Sequence, residues 1–151
     1  MKSIEGLTMN GKQDLSKVSV LLVEDEAFMR RLIQRMLEDL GVGEIVLAQD
    51  GGEAVQYILN NSYAFTLILL DLEMPRVNGF EVLKYLRSAP DVGNHDLPVV
   101  ILTGHAEKER VVQAVQYGIH GYLVKPVSKA DLISKINRAM TKPPIDASHL
   151  K

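Results

Sequence analysis

The chain has 151 residues, of which 46% are hydrophobic and 24% charged, so it is long enough for one globular domain with a substantial core. Its net charge is −2 and the charges are interspersed, which argues against a nucleic-acid surface or a polybasic membrane patch. The absence of cysteine excludes disulfides and thiolate chemistry. Without an apolar leader or a membrane-length run, we expect a cytoplasmic protein that binds neither membranes nor nucleic acid.

The two ends of the chain differ in composition from its middle. Residues 1–17 are polar and contain glycine, and the last ten residues include Pro143-Pro144, which cannot continue a helix. We therefore predict a flexible N-terminal extension over 1–17, one domain over 18–141 and a C-terminal tail over 142–151. No second domain is recognisable after Met140, so we expect the domain to act alone.

Five short runs rich in leucine and β-branched residues predict strands, and segments of helical period follow them. The runs are 18–23, 44–48, 65–70, 98–103 and 121–124. Apolar residues at helical spacing follow the first, second and fifth runs: Phe28, Leu32, Ile33, Met36, Leu37, Leu40; Ala54, Val55, Ile58, Leu59; Leu132, Ile133, Ile136, Met140. Because the strand runs are apolar at consecutive positions, we expect a parallel sheet buried between helices, in an α/β fold.

Polar residues collect where the predicted strands end. Glu24 and Asp25 follow the first strand, Asp71 follows the third, Thr103 ends the fourth and Lys125 follows the fifth. The carboxyl ends of parallel strands share one edge of the sheet, where ligands of α/β proteins bind. Carboxylates about 5 Å apart repel by roughly 3 kcal/mol per pair at an effective dielectric near 20, and a divalent cation such as Mg²⁺ would relieve that repulsion.

Each of these polar residues also has a simpler interpretation when it is taken alone. An acid before Ala27 can cap a helix, Thr103 can cap the next one, and Lys125 can be a solvated charge. An acid cluster drawn from two strands, together with a lysine and a threonine, has no such simple folding purpose. As a set they supply metal ligands, a point charge, a hydroxyl donor and a carboxylate nucleophile, which are the parts of phosphoryl transfer.

The order of the motifs resembles the receiver domains of response regulators in two-component signalling, of the CheY-like type. The resemblance covers about residues 18–140. It rests on Glu24-Asp25 after VSVLLV, on DLEMPRVNGFEVL from Asp71, on Thr103 in ILTGHA, and on Tyr122, Lys125 and Pro126 in GYLVKP. It implies a flavodoxin-like, doubly wound sheet of five parallel strands in the order 2-1-3-4-5, with helices on both faces.

By the same resemblance, Asp71 would be the phosphoacceptor, taking a phosphoryl group from a sensor histidine kinase or a histidine phosphotransfer protein. Asp25 and Asp71 would bind Mg²⁺ directly, and Mn²⁺ is expected to substitute. Glu24 would act mostly through a water molecule, and the backbone carbonyl of Glu73 would supply a further ligand.

The resemblance also implies a switch. Lys125 and Thr103 would contact the phosphoryl group, and Tyr122 would turn inward as the Thr103 hydroxyl moves toward it. Pro126 would follow a cis peptide bond. The altered surface would comprise 107–117, 119–124 and 129–140. A downstream effector protein of unknown identity would bind to it.

Two further residues are expected to modulate the lifetime of the phosphoryl group. Glu73 lies two residues after Asp71, and His105 lies two residues after Thr103. Both are bulky and able to carry charge, and we expect them to affect how water reaches the acyl phosphate.

Two alternatives remain open. One is a Mg²⁺-dependent phosphatase that turns over an aspartyl phosphate. Haloacid dehalogenase-type enzymes of this kind carry a D-x-D motif with a second aspartate, whereas here the second acid is Glu73, which argues against this alternative. The other is a pseudo-receiver that keeps the fold as an interaction module, against which the retained Asp25, Asp71, Thr103 and Lys125 argue. The expectation is therefore a signalling phosphoacceptor and not an enzyme with metabolite turnover.

Overall fold

The computed structural model describes residues 14–60, 62–88, 96–104, 108–146 and 148. Within these ranges strands and helices alternate, as the sequence predicts. The elements are β1 (Ser19–Val23), α1 (Ala27–Asp39), β2 (Glu44–Ala48), α2 (Gly51–Leu59), β3 (Leu67–Asp71), α3 (Gly79–Ser88), β4 (Val99–Thr103), α4 (Lys108–Val115), β5 (Gly121–Val124) and α5 (Lys129–Thr141). None of the described helices is both long and apolar enough to cross a membrane.

All five strands are parallel and lie in the order β2-β1-β3-β4-β5, which confirms the predicted flavodoxin-like arrangement. The register aligns the strand ends. Val23 pairs with Leu70. Glu24, the first residue after β1, therefore lies level with Asp71, the last residue of β3. Thr103 pairs with Val124, which places Lys125 one residue beyond the end of β4. The polar residues at the strand ends therefore share one edge of the sheet.

Two apolar clusters fill the space on either side of the sheet. Leu67 and Leu69 point into the layer covered by α1 and α5, and Ile68 and Leu70 point into the layer covered by α2, α3 and α4. Every residue of β1, β3 and β4 is buried, which explains why these strands are apolar at consecutive positions instead of alternating.

The strand limits differ slightly from the apolar runs. β4 begins at Val99 because Pro98 has no N–H to give to the ladder. β3 begins at Leu67 and includes Asp71, which pairs with Leu102. The acid is thus the last residue of the strand itself, and the strand backbone fixes its position.

The predicted domain limits at 18 and 141 stay predictions. The described parts of the flanking segments nevertheless bury one apolar side chain each. Leu15 lies in the α1/α5 layer, and its carbonyl accepts from the N–H groups of Val18 (3.0 Å) and Gly43 (3.1 Å). Ile145 is 7% exposed and lies in the opposite layer.

Candidate functional site

Asp71 is held rigidly at the edge of the sheet. Its side chain is 1% exposed, and its Oδ1 accepts from the backbone N–H of Glu73 at 2.9 Å. The start of α3 packs directly on the strand end, since a Cβ at Gly79 would overlap the Asp71 carbonyl oxygen. The apolar strand therefore delivers a carboxylate whose backbone and one oxygen are both fixed.

Glu24 is the second buried acid of this edge. It is 0% exposed, its Oε2 accepts from the Glu26 N–H at 3.1 Å, and its carbonyl accepts from Arg30 Nη1 at 2.8 Å. Glu26 occupies the N-cap position of α1 but makes no side-chain capping hydrogen bond. Helix capping by an acid side chain consequently does not explain why acids cluster before Ala27.

Carboxylate oxygens of Glu24, Asp25 and Asp71 lie within 4.8 Å of one another. Asp25 faces solvent while the other two are buried, so the cluster is open on one side. The Glu24 Oε1 atom is buried, and its near neighbour among the described residues is the Lys125 ammonium at 2.6 Å. A set of three carboxylates that is open on one side and has only oxygen ligands fits a hard cation such as Mg²⁺.

Lys125 is the cation that faces the two buried acids. Its Nζ lies 2.6 Å from Glu24 Oε1 and 3.2 Å from Asp71 Oδ2, and its side chain is 18% exposed. Its N–H donates to the Thr103 carbonyl at 2.8 Å, and the bond from Lys125 to Pro126 is cis. The interpretation of Lys125 as a solvated surface charge is therefore wrong.

One lysine does not neutralise two buried carboxylates. Burial raises the pKa of Asp71 to about 7; the charge of Glu24 adds to this, while the Glu73 N–H and the charge of Lys125 oppose it. For Lys125, burial alone lowers the pKa, but the contact with Glu24 and the charge of Asp71 outweigh it, so its pKa lies above the ordinary value. The site thus carries excess negative charge once Asp71 ionises.

Thr103 and Tyr122 lie on the neighbouring strands β4 and β5. Thr103 ends β4 and is buried. Tyr122 is half-buried, packs against the α2/α3/α4 layer, and has Lys135 Nζ 5.8 Å from its ring centroid. Tyr122 pairs with Ile101, two residues before the strand position at which Thr103 lies.

The Glu73 side chain lies over the same edge. It is exposed, and its Oε1 accepts from the Gly104 N–H at 3.4 Å, linking the end of β3 to the end of β4. This contact was not predicted from the sequence. His105, the second expected modulator, lies outside the described residues.

Two other residues complete the picture of this edge. Arg30 was missed, although a basic residue in the first turn after the acids is a signal that points to it. Asp50 follows β2 at the same edge, but its carboxylate accepts from the Glu53 N–H at 2.7 Å and caps α2. Asp50 is thus an acid with a structural task.

Comparison with known proteins gives a consistent picture. The response regulator receiver domain family matches residues 20–137. Chemotaxis protein CheY-3 of Vibrio cholerae and chemotaxis protein CheY of Pseudomonas aeruginosa are each 32% identical over 121 residues, which is 80% of this chain and 90% and 94% of theirs. The solved structure of Vibrio cholerae CheY4 is 29% identical with a TM-score of 0.72, covering 81% of this chain and 98% of that one.

Proposed function

Because this chain belongs to the response regulator receiver domain family, we propose that it is a signalling phosphoacceptor in which Asp71 takes a phosphoryl group from a phosphohistidine. The observation that carries the proposal is the fixed, buried Asp71 carboxylate between Lys125 and the acid cluster. The donor is a sensor histidine kinase or a histidine phosphotransfer protein. The cytoplasmic location stays a prediction.

The chemistry is a displacement at phosphorus. An Asp71 carboxylate oxygen forms a bond to phosphorus while the bond from phosphorus to the donor's imidazole nitrogen breaks, and the released imidazole takes a proton from water. The Glu73 N–H holds Oδ1, which orients the carboxylate for in-line attack. Lys125 Nζ lies beside Oδ2 and supplies positive charge to the incoming phosphoryl oxygens.

The acid cluster supplies the remaining electrostatics. Asp25, Asp71 and the Glu73 carbonyl would hold Mg²⁺, with Glu24 acting through water, and the bound ion would neutralise charge on the phosphoryl oxygens. Mn²⁺ has the same preference for oxygen ligands and is expected to substitute. Glu24, fully buried against Lys125, keeps the ammonium oriented toward Asp71.

The switch follows from the new charge. An aspartyl phosphate places a larger negative charge and more acceptor oxygens where the Asp71 carboxylate was. Thr103, at the end of the neighbouring strand, is the hydroxyl donor that would move toward it, and Tyr122 would follow inward. Val112 on α4 and Val124 on β5 are each 39% exposed, which gives the α4/β5/α5 surface apolar area for an effector protein. Glu73 and His105 stay candidate modulators of the phosphoryl lifetime.

The test is phosphorylation by a small donor. The full-length chain is incubated with Mg²⁺ and acetyl phosphate, and its intact mass is measured for the wild type, Asp71→Asn and the matched control Asp50→Asn. Asp50 lies at the same edge of the sheet, and asparagine also caps helices. We expect one phosphoryl group on the wild type and the control, none on Asp71→Asn, and no adduct on any of them when EDTA is present from the start.

Other outcomes would favour the alternatives. If neither acetyl phosphate nor a phosphohistidine donor gives an adduct, the phosphoacceptor role is wrong and the pseudo-receiver interpretation replaces it. Release of inorganic phosphate from a small phosphoester, in multiples of the protein concentration, would identify a phosphatase instead.

A further inference from the structure

The chain crosses from one face of the sheet to the other after α5. Helix α5 packs into the α1/α5 layer, whereas Ile145, only four residues beyond its end, lies in the opposite layer with Val111 and Ala114 of α4. Residues 142–146, which we call the C-terminal strap, therefore pass around β5, the edge strand of the sheet. The strap, which is the described start of the predicted C-terminal tail, packs against the domain through Ile145.

The sequence explains why the strap takes this path. Lys142 has φ −124° and ψ 156°, the extended conformation that a following proline favours, and this ends α5. Pro143 and Pro144 have a fixed φ, so the strap is stiff and Ile145 loses less chain entropy when it docks.

Three hydrogen bonds anchor the strap to the start of β5. Arg138 Nη1 donates to the carbonyls of Pro143 (3.1 Å) and His120 (3.3 Å). The Ile145 N–H donates to the Ile119 carbonyl at 2.9 Å. These bonds fasten the end of α5 to the residues that lead into β5, and the buried Ile145 side chain joins the apolar layer that α4 also covers.

The elements joined in this way are the three that form the proposed output surface. Tyr122, the proposed switch residue, packs against the same apolar layer as Ile145. A movement of α4 and β5 relative to α5 would have to break or distort the strap contacts. Contacts made in one arrangement and lost in another shift the equilibrium toward the first.

We propose that the C-terminal strap is an intramolecular brake on the switch, which holds α4 and β5 against α5 and opposes the rearrangement that follows phosphorylation. This proposal rests on the proposed function, because it requires Asp71 to bind a phosphoryl group. It differs from simple protection of the edge strand, which would stabilise both arrangements equally.

The test measures the affinity of the full-length chain for beryllofluoride, a phosphoryl mimic, in Mg²⁺ by calorimetry. Ile145→Ala removes most of the buried side chain of the strap. Arg138→Gln weakens the hydrogen bonds to the Pro143 and His120 carbonyls. Ile58→Val is the control, because Ile58 is buried in the same layer under α2, away from the strap. We expect Ile145→Ala to bind the mimic about three- to tenfold more tightly than the wild type, Arg138→Gln to change in the same direction, and Ile58→Val to stay within about twofold.

Two kinds of failure are distinguishable. If the wild type binds beryllofluoride and both strap variants bind it equally well despite lower stability, the strap only stabilises the fold and the brake does not exist. If the wild type itself does not bind the mimic, the proposed function fails and the brake fails with it. If Ile145→Ala does not fold, Ile145→Val replaces it. We expect Ile145→Val to bind beryllofluoride more tightly than the wild type, by a smaller factor, and an unchanged affinity would refute the brake.

Discussion

Replacing Asp71 by asparagine is expected to change how the stability of the metal-free protein depends on pH. Burial raises the pKa of Asp71 from its ordinary value of 3.8 to about 7 in the folded chain. The folded state therefore binds the Asp71 proton more tightly than the unfolded state does. The contribution of Asp71 to stability is largest at acidic pH and is lost as the pH rises from 3.8 through about 7.

The size of the effect follows from the two pKa values. Each pH unit between them changes the free energy of unfolding by about 1.4 kcal/mol. Between about pH 5 and about pH 8 the wild type should thus lose about 2–3 kcal/mol relative to Asp71→Asn, with most of the change complete near pH 7. Asparagine has no charge to desolvate, and its side-chain oxygen can still accept from the Glu73 N–H.

The measurement is urea unfolding of both proteins in EDTA across this pH range. Titrating groups that do not face Asp71 contribute equally in both proteins, so their contributions cancel in the difference. A difference that does not change with pH would refute the claim that burial raises the pKa of Asp71. A slope of opposite sign would mean that Lys125 and the Glu73 N–H more than compensate for burial.

Three further predictions concern single side chains. Gly79→Ala should lower stability by about 1–3 kcal/mol and slow phosphorylation, because its Cβ would overlap the Asp71 carbonyl; normal rates at normal stability would contradict that packing. Arg30→Gln should cost about 1 kcal/mol in urea unfolding through the lost bond to the Glu24 carbonyl, and an unchanged midpoint would show that bond to be unimportant. Burial and two nearby arginines lower the pKa of His120 to about 4, so stability falls as the pH drops from 6.5 toward 4. His120→Asn should remove about 1–2 kcal/mol of that loss by about pH 5, and parallel profiles for the two proteins would refute the assignment.

The sequence predicts most of the fold because its signals are local. Consecutive apolar residues from Leu67 to Leu70 require burial on both faces, and a parallel sheet between helices follows. The parallel topology then determines that Asp71, Glu24 and Lys125 meet at one edge. Their proximity was therefore predictable before any distance was known.

Other features depend on tertiary contacts that leave no period in the sequence. Nothing near Ile145 indicates that it is buried on the face opposite α5, because the two prolines before it signal only the end of the helix. The complete burial of Glu24 beside the exposed Asp25 depends on the Glu24 N–H, which continues the β1 ladder by donating to the Ala48 carbonyl at 3.1 Å. The contact of Glu73 with Gly104 joins two loops far apart in sequence.

Chemical trapping of the phosphoryl group tests the central claim most directly. Borohydride reduces an acyl phosphate to an alcohol, so the chain is treated with acetyl phosphate and Mg²⁺, reduced, and fragmented for mass spectrometry. We predict homoserine at position 71 and at no other acid, only when both donor and metal are present. Homoserine at Asp25 or Asp50, 5-hydroxynorvaline at Glu24, or an unreduced chain under phosphorylating conditions, would contradict the assignment of Asp71 as the phosphoacceptor.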